Sequence, residues 1–210
     1  LCRESYARAL TQKRQSGFEI GKSALLNHAL IWQVAANVRP LYELSLTHQN
    51  TMALQPGSKA PLFTLKTKTA AGLEDFRLAD HIGKSNIVLV FVPLAFTGVC
   101  TTELCSLSAG TADYESLHAK VVGISVDSPF AQEAWAKKEN ITLPLVSDLN
   151  KEAASAYDVL FKGLAGIGDT SARAVFVIDR SGTIQHSQVT ATPGDLPDFN
   201  AVKSALAKLS

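Results

Sequence analysis

Residues 86–105 read NIVLVFVPLAFTGVCTTELC, and the two halves of that stretch follow different rules. Residues 86–92 form an unbroken apolar run rich in β-branched side chains, the pattern of a strand covered on both faces. Pro93 ends the run, a short loop follows, and Cys100 opens a helical segment reaching to about His118. A doubly covered strand leading directly into a helix points to a layered α/β sheet. A cysteine at such a helix start meets unpaired amides and the positive end of the helix dipole, which favour thiolate over thiol. Thr97, three residues earlier, is placed to offer its hydroxyl to the same pocket. Pro93 has no N–H and can wall that pocket without competing for hydrogen bonds. A buried cysteine after a strand is also a common packing element, so position alone leaves both readings open.

Cys105 bears on that choice, because it falls on the same helix with four residues between it and Cys100. Five positions along an ideal helix separate the Cα atoms by ~8.6 Å and by about 140° around the axis. A disulfide tolerates a separation of only about 7 Å, so the pair cannot be bridged unless the helix locally unwinds. That spacing disfavours a permanent bridge and suits a transient one formed after Cys100 is oxidised. It is neither the C-x-x-C of a thioredoxin-like reductase nor part of a zinc ligand set.

The pattern continues on both sides of the stretch. Residues 63–66 read as a strand with 76–78 as its partner, and residues 121–126 (VVGISV) as a buried strand. Ser128 and Pro129 make a well-formed start for a helix over 130–139. A short strand at 143–146, a helix at 151–159 and a glycine-rich connection at 161–170 follow. Residues 174–178 (AVFVI) form another buried strand, the turn 179–182 leads into an exposed strand at 183–189, and an amphipathic helix closes the chain at 198–209. The expected architecture is α/β, a central mixed sheet flanked by helices.

The chain has 210 residues, 46% of them apolar and 19% charged, enough to bury a core without disulfides or metals. The net charge of +1 gives no footprint for nucleic acid or for an anionic membrane surface. No run of eighteen apolar residues exists, so no membrane-spanning helix is expected. Three cysteines are too few, and odd in number, for a secreted disulfide scaffold. A cytoplasmic location is the resulting expectation. The charge is unevenly placed, with residues 1–51 carrying six basic and three acidic side chains and the rest carrying fourteen and sixteen. With Met52 the single methionine, the domain is expected to be 52–210. Residues 1–51 are then read as upstream translation, an organellar targeting leader or a structured extension. Cys2 belongs to that leader and carries no argument.

In these motifs the sequence resembles the peroxiredoxins, thiol peroxidases of the alkyl hydroperoxide reductase and thiol-specific antioxidant family. Their P-x-x-x-T-x-x-C signature is met by Pro93, Thr97 and Cys100, and their later arginine by Arg173 in TSARAVFVID. The likeness runs through residues 54–209, including APLFTL, ISVDSP, LPLVSD and IDRSGTI. The C-x4-C pair resembles the Q-type (bacterioferritin-comigratory) branch. The run FVPLAFTGVC resembles the E-type alkyl hydroperoxide reductases, whose simplest members have one catalytic cysteine.

The resemblance implies a thioredoxin-like fold and a thiol-dependent peroxidase acting on hydrogen peroxide and alkyl hydroperoxides. In that reading Cys100 attacks the peroxide and becomes a sulfenic acid. Thr97 and the Cys100 amide hold the peroxide oxygens, Arg173 stabilises thiolate and transition state, and Pro93 shields the product. Cys105 is the implied resolving thiol, thioredoxin or a similar dithiol the implied reductant, and a homodimer the implied assembly. The alternatives are a one-cysteine peroxidase resolved by an external thiol, or a non-peroxidatic redox or binding module of the same fold.

Other residues take plainer roles. Glu103, one turn past Cys100, is read as structural with a secondary influence on the pocket. Trp135 and Phe130 are expected in the core. Gly163, Gly166 and Gly168 lack the spacing of a nucleotide-binding loop, and the five histidines lack ligand spacing, so no cofactor and no metal is expected.

Overall fold

A computed structural model describes residues 53–209. The leader, including Cys2, and the expected domain start at Met52 lie outside the described residues.

The run that decides the fold forms β3 (Asn86–Phe91), buried at every position. It pairs in parallel with β4 (Ala119–Ser125) and antiparallel with β8 (Ala174–Ile178), placing it inside the sheet. The remaining strands are β1 (Thr64–Thr69), β2 (Gly72–Arg77), β5 (Leu145–Ser147) and β9 (Ile184–Val189). Together they make one seven-stranded sheet in the order β2-β1-β5-β4-β3-β8-β9. The two parallel pairings, β3 with β4 and β4 with β5, sit at the centre, and antiparallel pairs complete both sides. This is the mixed sheet expected from the sequence.

Alternation along β3 divides the core in two. Ile87, Leu89 and Phe91 join Phe176, Tyr157, Ala153 and Ala154 on one face. Val88, Val90 and Val92 join Leu104, Trp135, Val202 and Leu206 on the other, together with both Cys100 and Cys105. That second face is covered by α1 (Gly98–Ala109), α2 (Thr111–Ser116), α3 (Pro129–Glu139) and α5 (Phe199–Ala207). The short α4 (Glu152–Ala156) covers the first. Ser128 caps α3 by accepting from the Ala131 amide, with Pro129 at the first helical position. Asp198 caps α5 through the amides of Asn200 and Ala201.

Three local expectations are corrected. The helix expected over 100–118 is two helices broken at Gly110, where the Thr111 hydroxyl donates back to the carbonyls of Ser108 and Leu107. Helix α4 is shorter than 151–159 because Lys151 and Asp158 on either side of it adopt φ of 62° and 55°. The glycine-rich connection is a β-hairpin, β6 (Leu160–Leu164) and β7 (Gly168–Ser171). Its turn uses positive φ at Gly163, Gly166 and Gly168.

Helix α1 sits close on the sheet because β4 has a glycine beneath it. A Cβ on Gly123 would lie 2.7 Å from Leu145 Cδ2 and 3.5 Å from Leu104 Cδ2. Gly123→Ala is therefore expected to cost about 1–3 kcal/mol by overpacking, read as a lower urea midpoint with an unchanged slope. A wild-type midpoint would mean that Leu145 moves aside freely.

Candidate active site

Cys100 lies in the first turn of α1, 1% exposed, and Thr97 is the residue at the helix cap. The loop joining β3 to α1 is braced at one point and strained at another. Asp127, just beyond β4, accepts the Ala95 amide at 2.7 Å. Phe96 has φ of 61°, a left-handed conformation that costs an aromatic residue about 1–3 kcal/mol. Its ring packs 6.1 Å from Trp135 and 5.5 Å beneath the Lys138 ammonium, contacts that offset the strain. Trp135 in turn donates from Nε1 to Thr101 Oγ1 at 3.1 Å, tying α3 to the turn that carries Cys100.

Arg173 reaches the same place from the start of the strand beside β3. It directly precedes β8, and Ser171 beside it donates to the carbonyl of Val92 at the end of β3. The guanidinium is 2% exposed, and its Nη2 lies 3.3 Å from Cys100 Sγ. Nη1 donates to Glu103 Oε2 in a fully buried ion pair. Nε and Nη2 both donate to the carbonyl of Pro193, at 3.2 and 2.8 Å. Glu103 Oε1 is buried and has no hydrogen-bond partner among the described residues. Burial pushes the Glu103 carboxyl up from its ordinary 4.5 to about 7, against the opposing pull of Arg173.

Cys100 and Arg173, 73 positions apart, thus meet as the sequence reading required. Pro93 is buried between β3 and the loop. The Thr97 side chain is exposed, and its hydroxyl donates to Leu94 O at 2.9 Å. Cys105 is on the same unbroken helix but faces α3, with Sγ 3.6 Å from the carbonyl of Glu139. Phe130, expected in the core, is 61% exposed, whereas Trp135 is fully buried. Glu103 does more than the structural role expected of it, and its position one turn past a cysteine is the available signal. Pro193 gives no signal in the sequence, because a main-chain carbonyl leaves no trace in residue identity.

A permanent cation touching a buried thiol at a helix start can stabilise negative charge on the sulfur and on a group leaving from the atom that sulfur attacks. The AhpC/TSA family model matches residues 56–187, a span that holds this constellation except for Pro193. The chain belongs to the AhpC/TSA family, the peroxiredoxins. A chloroplastic 2-cysteine peroxiredoxin of Chattonella marina var. antiqua is 39% identical over 145 residues, covering 66% of this chain and 72% of that one. Alkyl hydroperoxide reductase E of Mycobacterium bovis is 36% identical over 159 residues, 75% of this chain and 99% of the relative. Among solved structures, reduced Plasmodium vivax 2-Cys peroxiredoxin superposes with a TM-score of 0.66 at 28% identity, covering 73% and 81% of the two chains. The fold is thus the thioredoxin-like one of the peroxiredoxins, and the protein is a peroxidase. Among the described residues no helix is long and apolar enough to cross a membrane.

Proposed function

We propose that this peroxiredoxin reduces hydrogen peroxide and alkyl hydroperoxides through Cys100, with Cys105 as the resolving thiol and thioredoxin or a similar dithiol as reductant. The observation that carries the reading is the 3.3 Å contact between Arg173 Nη2 and Cys100 Sγ in a buried setting. The Cys100 thiolate attacks one peroxide oxygen, so that an S–O bond forms as the O–O bond breaks. Sulfur is oxidised by two electrons to a sulfenic acid, and the other oxygen takes a proton and leaves as water or an alcohol. Arg173 supplies donors and charge where negative charge develops, in a site shielded from water. Thr97 and the Cys100 amide hold the peroxide, which requires the Thr97 hydroxyl to turn from Leu94 O. Pro93 shields the sulfenic acid.

Resolution follows when the Cys105 thiolate attacks the sulfenic sulfur, so that an S–S bond forms as the S–O bond breaks and the oxygen takes a proton and leaves as water. Because the two cysteines lie five positions apart on one helix and touch different neighbours, α1 must unwind between them first. A dithiol then takes up the oxidation by exchange. The orientation of Cys105 toward Glu139 also favours a second reading, in which an external thiol resolves Cys100 directly.

One experiment separates the two. Cys105→Ser is expected to lose steady-state turnover with thioredoxin, while its first oxidation still yields a sulfenic acid trapped by dimedone and seen by mass spectrometry. Wild-type turnover by the variant would assign resolution to an external thiol. No peroxide loss by the pre-reduced wild-type protein would refute the peroxidase mechanism itself.

A further inference from the structure

The Arg173 guanidinium is anchored at two points that differ in chemistry. Glu103 takes Nη1 with a carboxylate, which offsets positive charge. Pro193 takes Nε and Nη2 with a neutral carbonyl, which fixes direction and leaves the charge intact. A planar fork held at both ends has no rotational freedom left, and Nη2 is thereby aimed at Cys100 Sγ.

The Pro193 carbonyl is itself held by a small network between β9 and α5. Asp195 Oδ2 accepts from the Thr192 amide at 3.1 Å and from its hydroxyl at 2.8 Å. The Gly194 amide donates to Thr192 Oγ1, and the Asp195 amide to Thr192 O. Thr190 ties the segment back to Arg173, its amide donating to the Arg173 carbonyl at 3.0 Å and its hydroxyl donating to Thr192 O. Pro193, with φ fixed by its ring, sits at the centre of this turn. The Thr192 and Asp195 side chains that shape it are exposed, yet its product is a carbonyl delivered to a buried cation.

We propose that the turn at residues 192–195 is a positioning device, in which Thr192 and Asp195 present the Pro193 carbonyl to Arg173 and so aim its guanidinium at Cys100. The inference rests on the peroxidase reading of that pair. Without the turn, Arg173 keeps Glu103 and is free to swing about that contact, so Cys100 loses its donor for part of the time.

Asp195→Ala, Thr192→Val and Thr192→Ser test this, all at exposed positions. The readouts are the second-order rate of Cys100 oxidation by hydrogen peroxide, the pH profile of iodoacetamide alkylation followed on the Cys100 peptide, and the thermal midpoint. Asp195→Ala and Thr192→Val are expected to slow oxidation about tenfold, the scale of one misaligned donor. They should also move the alkylation profile to higher pH, because the thiolate loses a partner, with the thermal midpoint unchanged. Thr192→Ser keeps the hydroxyl and restores both. Wild-type rates and profiles in the first two variants overturn the proposal while leaving the peroxidase reading intact. A slowing that Thr192→Ser shares also overturns it. A wild-type protein inert toward peroxide overturns both readings.

Discussion

Cys100→Ser is expected to fold normally and to consume no peroxide above background. The hydroxyl is nearly isosteric with the thiol and can accept from Arg173 Nη2 in place of sulfur, so stability should change by less than about 1 kcal/mol. Serine does not ionise at neutral pH and has no sulfenic state, so the chemical step has nothing to begin from. A fall of roughly 10⁴-fold or more is the scale on which enzymes lose their nucleophile. The checks are peroxide consumption after pre-reduction and intact mass, which should show no added oxygen at the Cys100 peptide. The comparison with Cys105→Ser is informative, because that variant should take up the oxygen and then stall. If Cys100→Ser consumed peroxide at the wild-type rate, another thiol would be the nucleophile and the contact with Arg173 would have no role in it.

Much of this site was legible because its parts announce themselves by residue type. The unbroken run 86–92 could be buried only inside a sheet, and β3 does lie between β4 and β8. The cysteine after it opens a helix as its place required. The pairing of Cys100 with Arg173 was readable only through the resemblance to a family, since nothing local to either residue reports on a partner 73 positions away. Other features were hidden for physical reasons. The brace from Asp127 to the Ala95 amide and the Pro193 carbonyl on Arg173 both engage main-chain groups, which every residue carries. The hairpin of β6 and β7 looked like a loose connection because its glycines are spaced for a turn with positive φ, not for alternating burial. Phe130 was placed in the core on hydrophobicity, but a residue at the solvent side of a helix start has no such obligation.

Replacing Arg173 by methionine should separate what the guanidinium does for chemistry from what it does for the fold. Oxidation of Cys100 by peroxide is expected to slow about 10²–10³-fold, the usual loss when a donor aimed at developing charge is removed. The effect on stability depends on pH through Glu103. Its carboxyl is already raised from 4.5 to about 7 by burial, with Arg173 pulling the other way. Because the folded protein binds that proton more tightly than the unfolded chain, the associated stability is complete below 4.5 and fades as pH rises through 7. Without Arg173 the carboxyl is held up by burial alone, so the fading continues to higher pH. At pH 5 the variant should lose little beyond its hydrogen bonds to Pro193 and Cys100, because Glu103 is neutral in the folded state. At pH 8–9 the loss should approach the roughly 3–5 kcal/mol of a buried pair deprived of one partner, since Glu103 must then carry its charge unpaired or be protonated at a cost. Adding Glu103→Gln to Arg173→Met removes that charge, and should recover most of the stability at pH 8–9 and none of the peroxidase rate. Urea titrations of the three proteins at pH 5 and pH 8.5, with stopped-flow oxidation at pH 7, measure both quantities. A stability loss equal at the two pH values would show that Glu103 is not the charge Arg173 balances. A wild-type oxidation rate in Arg173→Met would show that the guanidinium is there for the fold alone.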